Sequence, residues 1–301
     1  MTQNRIDAGI LRGAIERSWC KDTCNEPNKW SKENPAGGQC VPTALVVQDF
    51  FGGKIIRLDL SKSANPRIAG VRSHYFNEIG GKRIDFSASQ FSQDYFEVQQ
   101  LLQNSGNVSE RSREELFKSE NVKARYLMLR LAVARDLSGC NPLFKNAVYR
   151  RCLLQAFQSD CEKSKFGCVA RRKGREVAAG FNHKLDCFKD WCEPECIRKK
   201  ITSRTESMIG CCAHAEEVAL VSVRDQNIHP AECDFYVAGI SENGLVLVKA
   251  EPVHSCIRCS TQFLMHHAQR IHVPCDGKWA RVLIRDAVRS AKKYALGEKK
   301  V

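Results

Sequence analysis

Two short stretches about forty residues apart constrain this chain more than any other feature: Cys212-Ala213-His214-Ala215-Glu216-Glu217 and Cys256-Ile257-Arg258-Cys259. Cysteines at i and i+3 share one face of a helix. A helix that begins near Cys256 also turns unpaired N–H groups toward those thiols and favours the thiolate. His214, Cys256 and Cys259 together supply three protein ligands for a tetrahedral zinc and leave the fourth position open to water. Glu216 stands too near His214 to be a second ligand, but it reaches a bound water and can act as general acid and base. A purely structural zinc, or buried cysteines without a metal, leaves Glu216 and its offset without a purpose.

On these residues the second half of the chain resembles the cytidine/deoxycytidylate deaminase superfamily, with its His-x-Glu and Pro-Cys-x-x-Cys boxes. The resemblance implies a three-layer α/β/α domain built on a mixed sheet of about five strands. It implies zinc on His214, Cys256 and Cys259, with Glu216 as the catalytic proton carrier. The implied reaction converts an amino-bearing base, cytosine rather than adenine, to its keto form with release of ammonia. One departure stands out. The proline expected directly before the first cysteine is Pro252, with Val253-His254-Ser255 in between. Either that loop is remodelled, or His254 replaces one of the three ligands.

Charge bears on the substrate. Residues 121–301 hold 31 Lys and Arg against 19 Asp and Glu, so nearly all of the chain's net charge of +13 lies in the half with the metal motif. A positive surface around a site draws polyanions and speeds their arrival. This favours a base within a nucleic acid as substrate. A free (deoxy)cytidine nucleotide is the alternative, favoured by a cysteine-rich connection before the His214 box. A non-catalytic, zinc-stabilised interaction module is the third reading, and a homo-oligomer is compatible with all three. No apolar run reaches 18 residues and Met1–Arg5 opens no signal-peptide pattern. Sixteen cysteines therefore read as reduced thiols and metal ligands in a cytoplasmic protein that does not enter a membrane.

The first half reads as a smaller α+β domain. A helix is expected over Ile10–Trp19, and another from Cys40, where Pro42 suits the first turn. Strands are expected at Lys54–Leu60, Arg72–Ile79 and Arg83–Phe86, and one or two helices within 109–136. The residues Gly38-Gln39-Cys40, Thr43–Asp49, Gly52-Gly53, His74-Tyr75 and Ile84-Asp85 resemble the YunG-like bacterial proteins, a family that implies no activity. Cys40 at a helix start, then His74 and Asp85 on successive strands, also follows the papain-like order of nucleophile, base and orienter. The competing reading is a buried Cys40 with His74 and Asp85 in structural work. Helix breakers at Leu137–Pro142 divide the chain into domains of 1–138 and 139–301.

Beyond that boundary a helix is expected from Leu143 to about Lys163, then a hairpin of Phe166–Arg172 and Glu176–Phe181. Asn182 follows, where the superfamily resemblance implies contact with the nucleoside. Residues 183–211 form the cysteine-rich connection, with Cys187, Cys192, Cys196 and Cys211; one reading is a second, structural zinc on three of these, Cys187, Cys192 and Cys196, and the other is free thiols in an irregular loop. The His214 helix is expected to run to Val223 with Val218 and Val221 on its apolar face. Asp234–Ile240 and Leu245–Lys249 read as a hairpin around Asn243-Gly244. The Cys256 helix, a strand at Arg270–Pro274 and a basic amphipathic helix over Trp279–Leu296 complete the chain.

Overall fold

The computed structural model describes residues 6–139, 141–192, 195–201, 211–247 and 255–296. It divides into two compact units, Met1–Gly139 and Cys140–Val301.

The first unit is α+β. Helix α1 (Ala8–Ser18) starts where the Asp7 carboxylate accepts the N–H groups of Gly9 and Ile10 at 2.7 and 3.2 Å, a side-chain N-cap. There follow α2 (Cys40–Phe51), β1 (Lys54–Asp59), α3 (Pro66–Val71), β2 (Ser73–Ile79) and β3 (Lys82–Ile84). Then come α4 (Tyr95–Gln103), β4 (Val108–Arg111), α5 (Arg113–Phe117) and α6 (Glu120–Leu137). The strands form an antiparallel sheet in the order β3-β2-β1-β4. Helix α2 is buried at Cys40 and continuously from Pro42 to Val47, so it reads as an interior helix rather than an amphipathic surface one. Two contacts hold it in place. Asn77 on β2 donates to the Ala44 carbonyl at 3.0 Å. Asp49 accepts from Arg113 at 2.6 Å, Arg130 at 3.0 Å and the Tyr126 hydroxyl at 2.8 Å, which satisfies a buried carboxylate with three donors.

The second unit is α/β. Its elements are α7 (Ala147–Ala156), β5 (Ser164–Arg172), β6 (Arg175–Phe181), β7 (His183–Lys184), β8 (Cys212–Ala213) and α8 (Ala215–Asp225). They continue with β9 (Cys233–Ser241), α9 (Ile257–Met265), β10 (Arg270–Cys275), β11 (Lys278–Leu283) and α10 (Ile284–Ala295). The main sheet has the order β11-β10-β9-β5-β6 and is mixed: β9 and β10 run parallel, the other pairs antiparallel. Two glycines show that helices cover both faces. A Cβ on Gly167 of β5 would lie 2.0 Å from the Cys152 carbonyl of α7. A Cβ on Gly180 of β6 would lie 2.8 Å from the Ala215 carbonyl of α8. Because Cys168 pairs with Gly180, Gly167 faces the opposite side, and the unit is a three-layer α/β/α sandwich. On the α8 side Phe235, Val237, Ile271 and Phe263 form the core. On the other side Trp279 packs edge-on against Tyr149 and Tyr236.

Several expectations are corrected. The helix expected over Leu143–Lys163 ends at Ala156, because Ser164 already pairs with Ser241 as the first residue of β5. The helix expected from Trp279 begins only at Ile284. Residues 278–283 instead pair with β10 across Asp276-Gly277, both at positive φ, a two-residue hairpin turn. The buried face of α8 is Ala215, Glu216, Ala219, Leu220 and Val223, while Val221 is exposed. Close packing on Gly180 selects the small residues for that face. After Ser241 only Val246 bridges back to Ile240 among the described residues, and the end of the strand expected at Leu245–Lys249 lies outside them. No helix among the described residues is long and apolar enough to cross a membrane.

Candidate metal centre and associated thiols

The short strand β8 delivers His214 to the N-cap of α8, where its backbone is still extended. Glu217, three residues on, closes a capping box by accepting the His214 N–H at 3.0 Å. The same carboxylate receives Arg258 in a bidentate pair, Nε to Oε1 at 2.5 Å and Nη2 to Oε2 at 2.7 Å. Arg258 lies between the two motif cysteines on α9, so this pair ties the start of one motif helix to the start of the other. Cys256 is the N-cap of α9 and Cys259 lies one turn inside it.

The result is a tight group. His214 Nδ1 stands 3.1 Å from Cys259 Sγ and 3.4 Å from Cys256 Sγ. All three ligand atoms fall within 4.8 Å of one another. Nitrogen and sulfur ligands of one tetrahedral zinc are roughly 3.6 Å apart, so the donor set and its spacing fit that ion. Glu216 sits one residue into α8 and is 8 % exposed. His254, the alternative ligand, lies outside the described residues.

Electrostatics follow from the packing. The Cys259 hydrogen bond, opposed by burial and helped by His214, pushes the Cys256 thiol down to about 3. Burial pushes Cys259 up. Burial also works against a charge on His214, but the hydrogen bond and charge of Cys256 outweigh it and raise the imidazole. Burial lifts Glu216 above the usual carboxylate range against the opposing pull of His214. A carboxyl raised toward neutrality is suited to carrying a proton in both directions.

Asn182 is buried at the end of β6. Its Oδ1 accepts the Phe166 N–H at 2.6 Å and its Nδ2 donates to the Ser164 carbonyl at 2.8 Å, clamping β6 to β5. One lone pair and one N–H remain for any further contact.

The cysteine-rich connection has a different ligand set from the one expected. Cys192, Cys196 and Cys211 converge within 4.8 Å, whereas Cys187 is exposed and outside that group. The β7–β8 pairing, His183 with Ala213 and Lys184 with Cys212, brings the two ends of the connection together. Leu185 N–H donates to the Cys211 carbonyl at 2.8 Å, which places Cys211 beside Cys192. The sulfurs of Cys192 and Cys211 are 2.8 Å apart, those of Cys192 and Cys196 3.9 Å, and those of Cys211 and Cys212 3.7 Å. Cys161 completes the buried cluster. Thiolates around one zinc are about 3.8 Å apart; Cys192 and Cys196 stand at that separation, while Cys192 and Cys211 stand closer and would have to move apart to share the ion. Loop spacing alone could not show this cluster, because the remaining thiols come from the far end of the connection and from the segment before β5.

In the first unit the structure brings Cys40, His74 and Asp85 together. His74 Nε2 lies 2.6 Å from Asp85 Oδ2, and the ring's other side-chain partners are Cys40 and Gln90. Sequence reasoning missed Gln90 and the Glu217–Arg258 pair. The latter had a signal: a Glu at the third position of a helix beginning at His214 marks a capping box, and an Arg lies within the cysteine motif.

A family profile described as YunG protein matches residues 8–138. The uncharacterized protein YunG of Bacillus subtilis (strain 168) is 34 % identical over 124 residues, spanning 41 % of this chain and 89 % of that protein. Among solved structures, the dCMP deaminase from cyanophage S-TIM5 in complex with dCMP and dUMP is similar at 17 % identity. It covers 50 % of this chain and 93 % of that one, with a TM-score of 0.32. The cytidine deaminase from Burkholderia pseudomallei is similar at 15 % identity, covering 44 % and 87 %, with a TM-score of 0.30. At such scores these likenesses decide nothing about chemistry, which rests on the side chains above.

Proposed function

The chain belongs to the YunG family through residues 8–138, which leaves its second unit outside that match, and we propose that this unit is a zinc-dependent hydrolytic deaminase. The observation that carries the reading is a buried Glu216 beside the converged His214, Cys256 and Cys259. Zinc held by those three residues supplies a Lewis acid that makes a water nucleophilic near neutral pH. Glu216 accepts the proton of the attacking water. It then returns protons to the ring nitrogen and to the departing amine, so that water and an amino-bearing base give a keto base and ammonia. The Glu217–Arg258 pair holds the two helix starts in register while this happens. Cytosine is the preferred base, and Asn182 is the proposed nucleoside contact through its remaining lone pair and N–H.

For the substrate, α10 favours nucleic acid. Arg285, Arg289, Lys292 and Lys293 are exposed on it, with Arg281 exposed just before, while Ile284, Ala287, Ala291 and Tyr294 are buried beneath them. A basic stripe over an apolar underside matches a phosphate backbone better than one nucleotide. A free (deoxy)cytidine nucleotide is the alternative. The thiol cluster at Cys192, Cys196 and Cys211 is proposed to hold a second zinc with a structural role, and a reducing cytoplasm is the setting that suits these thiols. The test is ammonia release, followed with base-product chromatography, across nucleosides, nucleotides, single-stranded DNA and RNA. Turnover of nucleotides without turnover of any polymer would overturn the substrate reading. Turnover of neither, by zinc-loaded protein, would overturn the deaminase.

A further inference from the structure

The first unit contains a cluster that the deaminase reading does not use. Cys40 is the first residue of the 12-residue helix α2, and its N-cap, Gln39, makes no side-chain capping bond. The first-turn amides of Cys40 and Val41 therefore have neither an intrahelical partner nor a cap, and Pro42 has no N–H. Gly38, at φ +69°, makes the turn into this helix with Cys24 Sγ only 2.7 Å from where a Cβ would stand. Such a close approach fixes the Cys40 backbone tightly.

Opposite the helix start stands His74, on β2 and 0 % exposed. The bond from Asn77 to the Ala44 carbonyl registers β2 against α2, and Cys40 lies one turn before Ala44. The Cys40 thiol is a side-chain partner of the imidazole. On its far side Nε2 meets Asp85 Oδ2 at 2.6 Å, and Asp85 Oδ1 is held in turn by the N–H and hydroxyl of Ser87 at 3.1 and 3.2 Å. The Gln90 amide lies 2.8 Å from Nδ1, and Phe91 packs edge-on against the ring at 4.9 Å. The imidazole is thus oriented from every side. Buried Arg125 places its guanidinium against the Gly38 carbonyl at 3.3 Å and interacts electrostatically with Cys40. Gln39 is fully buried, with its Nε2 on the Cys20 carbonyl at 2.9 Å, while its Oε1 has no partner among the described residues.

We infer that Cys40, His74 and Asp85 form a second catalytic centre, a thiol nucleophile that cleaves or transfers acyl groups from amides or esters. A His–Asp pair that only supports the fold needs no thiol at an uncapped helix start as its third member. Burial opposes a charge on His74, but Asp85 and Cys40 outweigh it and raise the ring to about 9, so the ring is a strong proton acceptor for the thiol.

The step balances without a further reagent. The Cys40 thiol passes its proton to His74 as its sulfur attacks the acyl carbonyl carbon, forming a C–S bond while the carbonyl electron pair moves to oxygen. The first-turn amides of Cys40 and Val41 are the donors assigned to that oxyanion. The oxyanion collapses, the C–N or C–O bond breaks, and His74 gives its proton to the leaving amine or alcohol. Water, deprotonated by His74, then attacks the thioester, releasing the acid and restoring the thiol.

The test uses the full, zinc-loaded chain and p-nitrophenyl acetate as the probe. The expected result is a burst of one p-nitrophenolate per chain, with the acetyl group located on Cys40 by peptide mass spectrometry. Acetylation of Cys40 should be at least tenfold faster than that of the exposed Cys187, an internal reference for an ordinary thiol. Cys40→Ser should abolish the burst. Asp85→Asn should slow it about tenfold or more in a chain that still shows a cooperative thermal unfolding transition. Acetyl groups spread over Cys40 and Cys187 at similar rates would overturn the inference, and that comparison in the unaltered chain decides even where a variant fails to fold. A burst unchanged in a folded Asp85→Asn variant would overturn it equally.

Discussion

His214 and His74 are both largely withdrawn from solvent, both face a cysteine at a helix start, and both have an acidic residue nearby, yet the two clusters differ in what the imidazole touches. His214 meets two thiols, and its neighbouring carboxyl, Glu216, stands free of it as a separate proton carrier. His74 meets one thiol and is bonded directly to a carboxylate at 2.6 Å. Two soft donors and an imidazole are a donor set that suits zinc, as proposed above. One soft donor with an imidazole backed by a carboxylate suits a proton relay for a nucleophile, the role inferred above. The composition of the clusters is almost the same, and which group touches which decides the chemistry.

The sharpest way to break this contrast is at the two carboxylates. Glu216→Gln should lower ammonia release by ~10²–10⁴ while zinc content, measured by atomic emission, stays at the wild-type level, because an amide cannot carry the proton. A fall of less than about tenfold would show that Glu216 is not the acid and base.

Metal content sharpens the comparison next. Cys259→Ser should remove one zinc together with activity. Cys211→Ser should remove a different zinc and lower the thermal midpoint, whereas Cys187→Ser should leave metal content unchanged. If Cys187→Ser lost zinc and Cys211→Ser did not, the ligand set of the connection would be the one spacing alone implies.

A smaller effect concerns the basic stripe. Arg285→Ala together with Arg289→Ala should weaken single-strand binding by similar factors across sequences. For every phosphate no longer neutralised, the slope of log affinity against log salt should become shallower by about 0.7. Filter binding at several salt concentrations measures this, and an unchanged slope would remove α10 from the interface.

The smallest expected effect is a pH dependence of stability. The folded value for His74, about 9, exceeds its unfolded value near 6.5. The stabilisation is therefore complete below about pH 6.5 and is lost as pH rises through 9. Urea midpoints measured across that window should fall with rising pH, and Asp85→Asn should flatten the decline. A midpoint that rose with pH would contradict the raised imidazole.

How much could be read in advance depends on the range of the physics involved. The metal motif is legible because each half is local: the i, i+3 cysteines at one helix start and the His at the cap of another. The Cys40, His74 and Asp85 order is legible for the same reason, since Cys40 lies at a helix start and His74 on a strand, although Asp85, expected on a strand, falls just past the end of β3. Gln90 and Arg125 gave no local sign. Gln90 reaches the cluster from the 3-10 turn at Ala88–Asp94 and Arg125 from α6, and only tertiary packing brings these segments to β2 and α2.

What the sequence by itself determined, then, is the set of chemical groups and the short elements that present them: His214-x-Glu216, Cys256-x-x-Cys259, and an apolar helix beginning at Cys40. Those follow from helix periodicity and capping, which act over a few residues. Tertiary structure alone decided the rest. Pairing of β7 with β8 put Cys211, not Cys187, beside Cys192. Pairing with β10 made 278–283 a strand where amphipathic spacing pointed to helix. Close packing on Gly180 selected Ala215 and Ala219, not Val221, for the buried side of α8. In each case the winning term is a backbone pairing or a close approach between residues far apart in the chain. Local propensity carries no information about such partners.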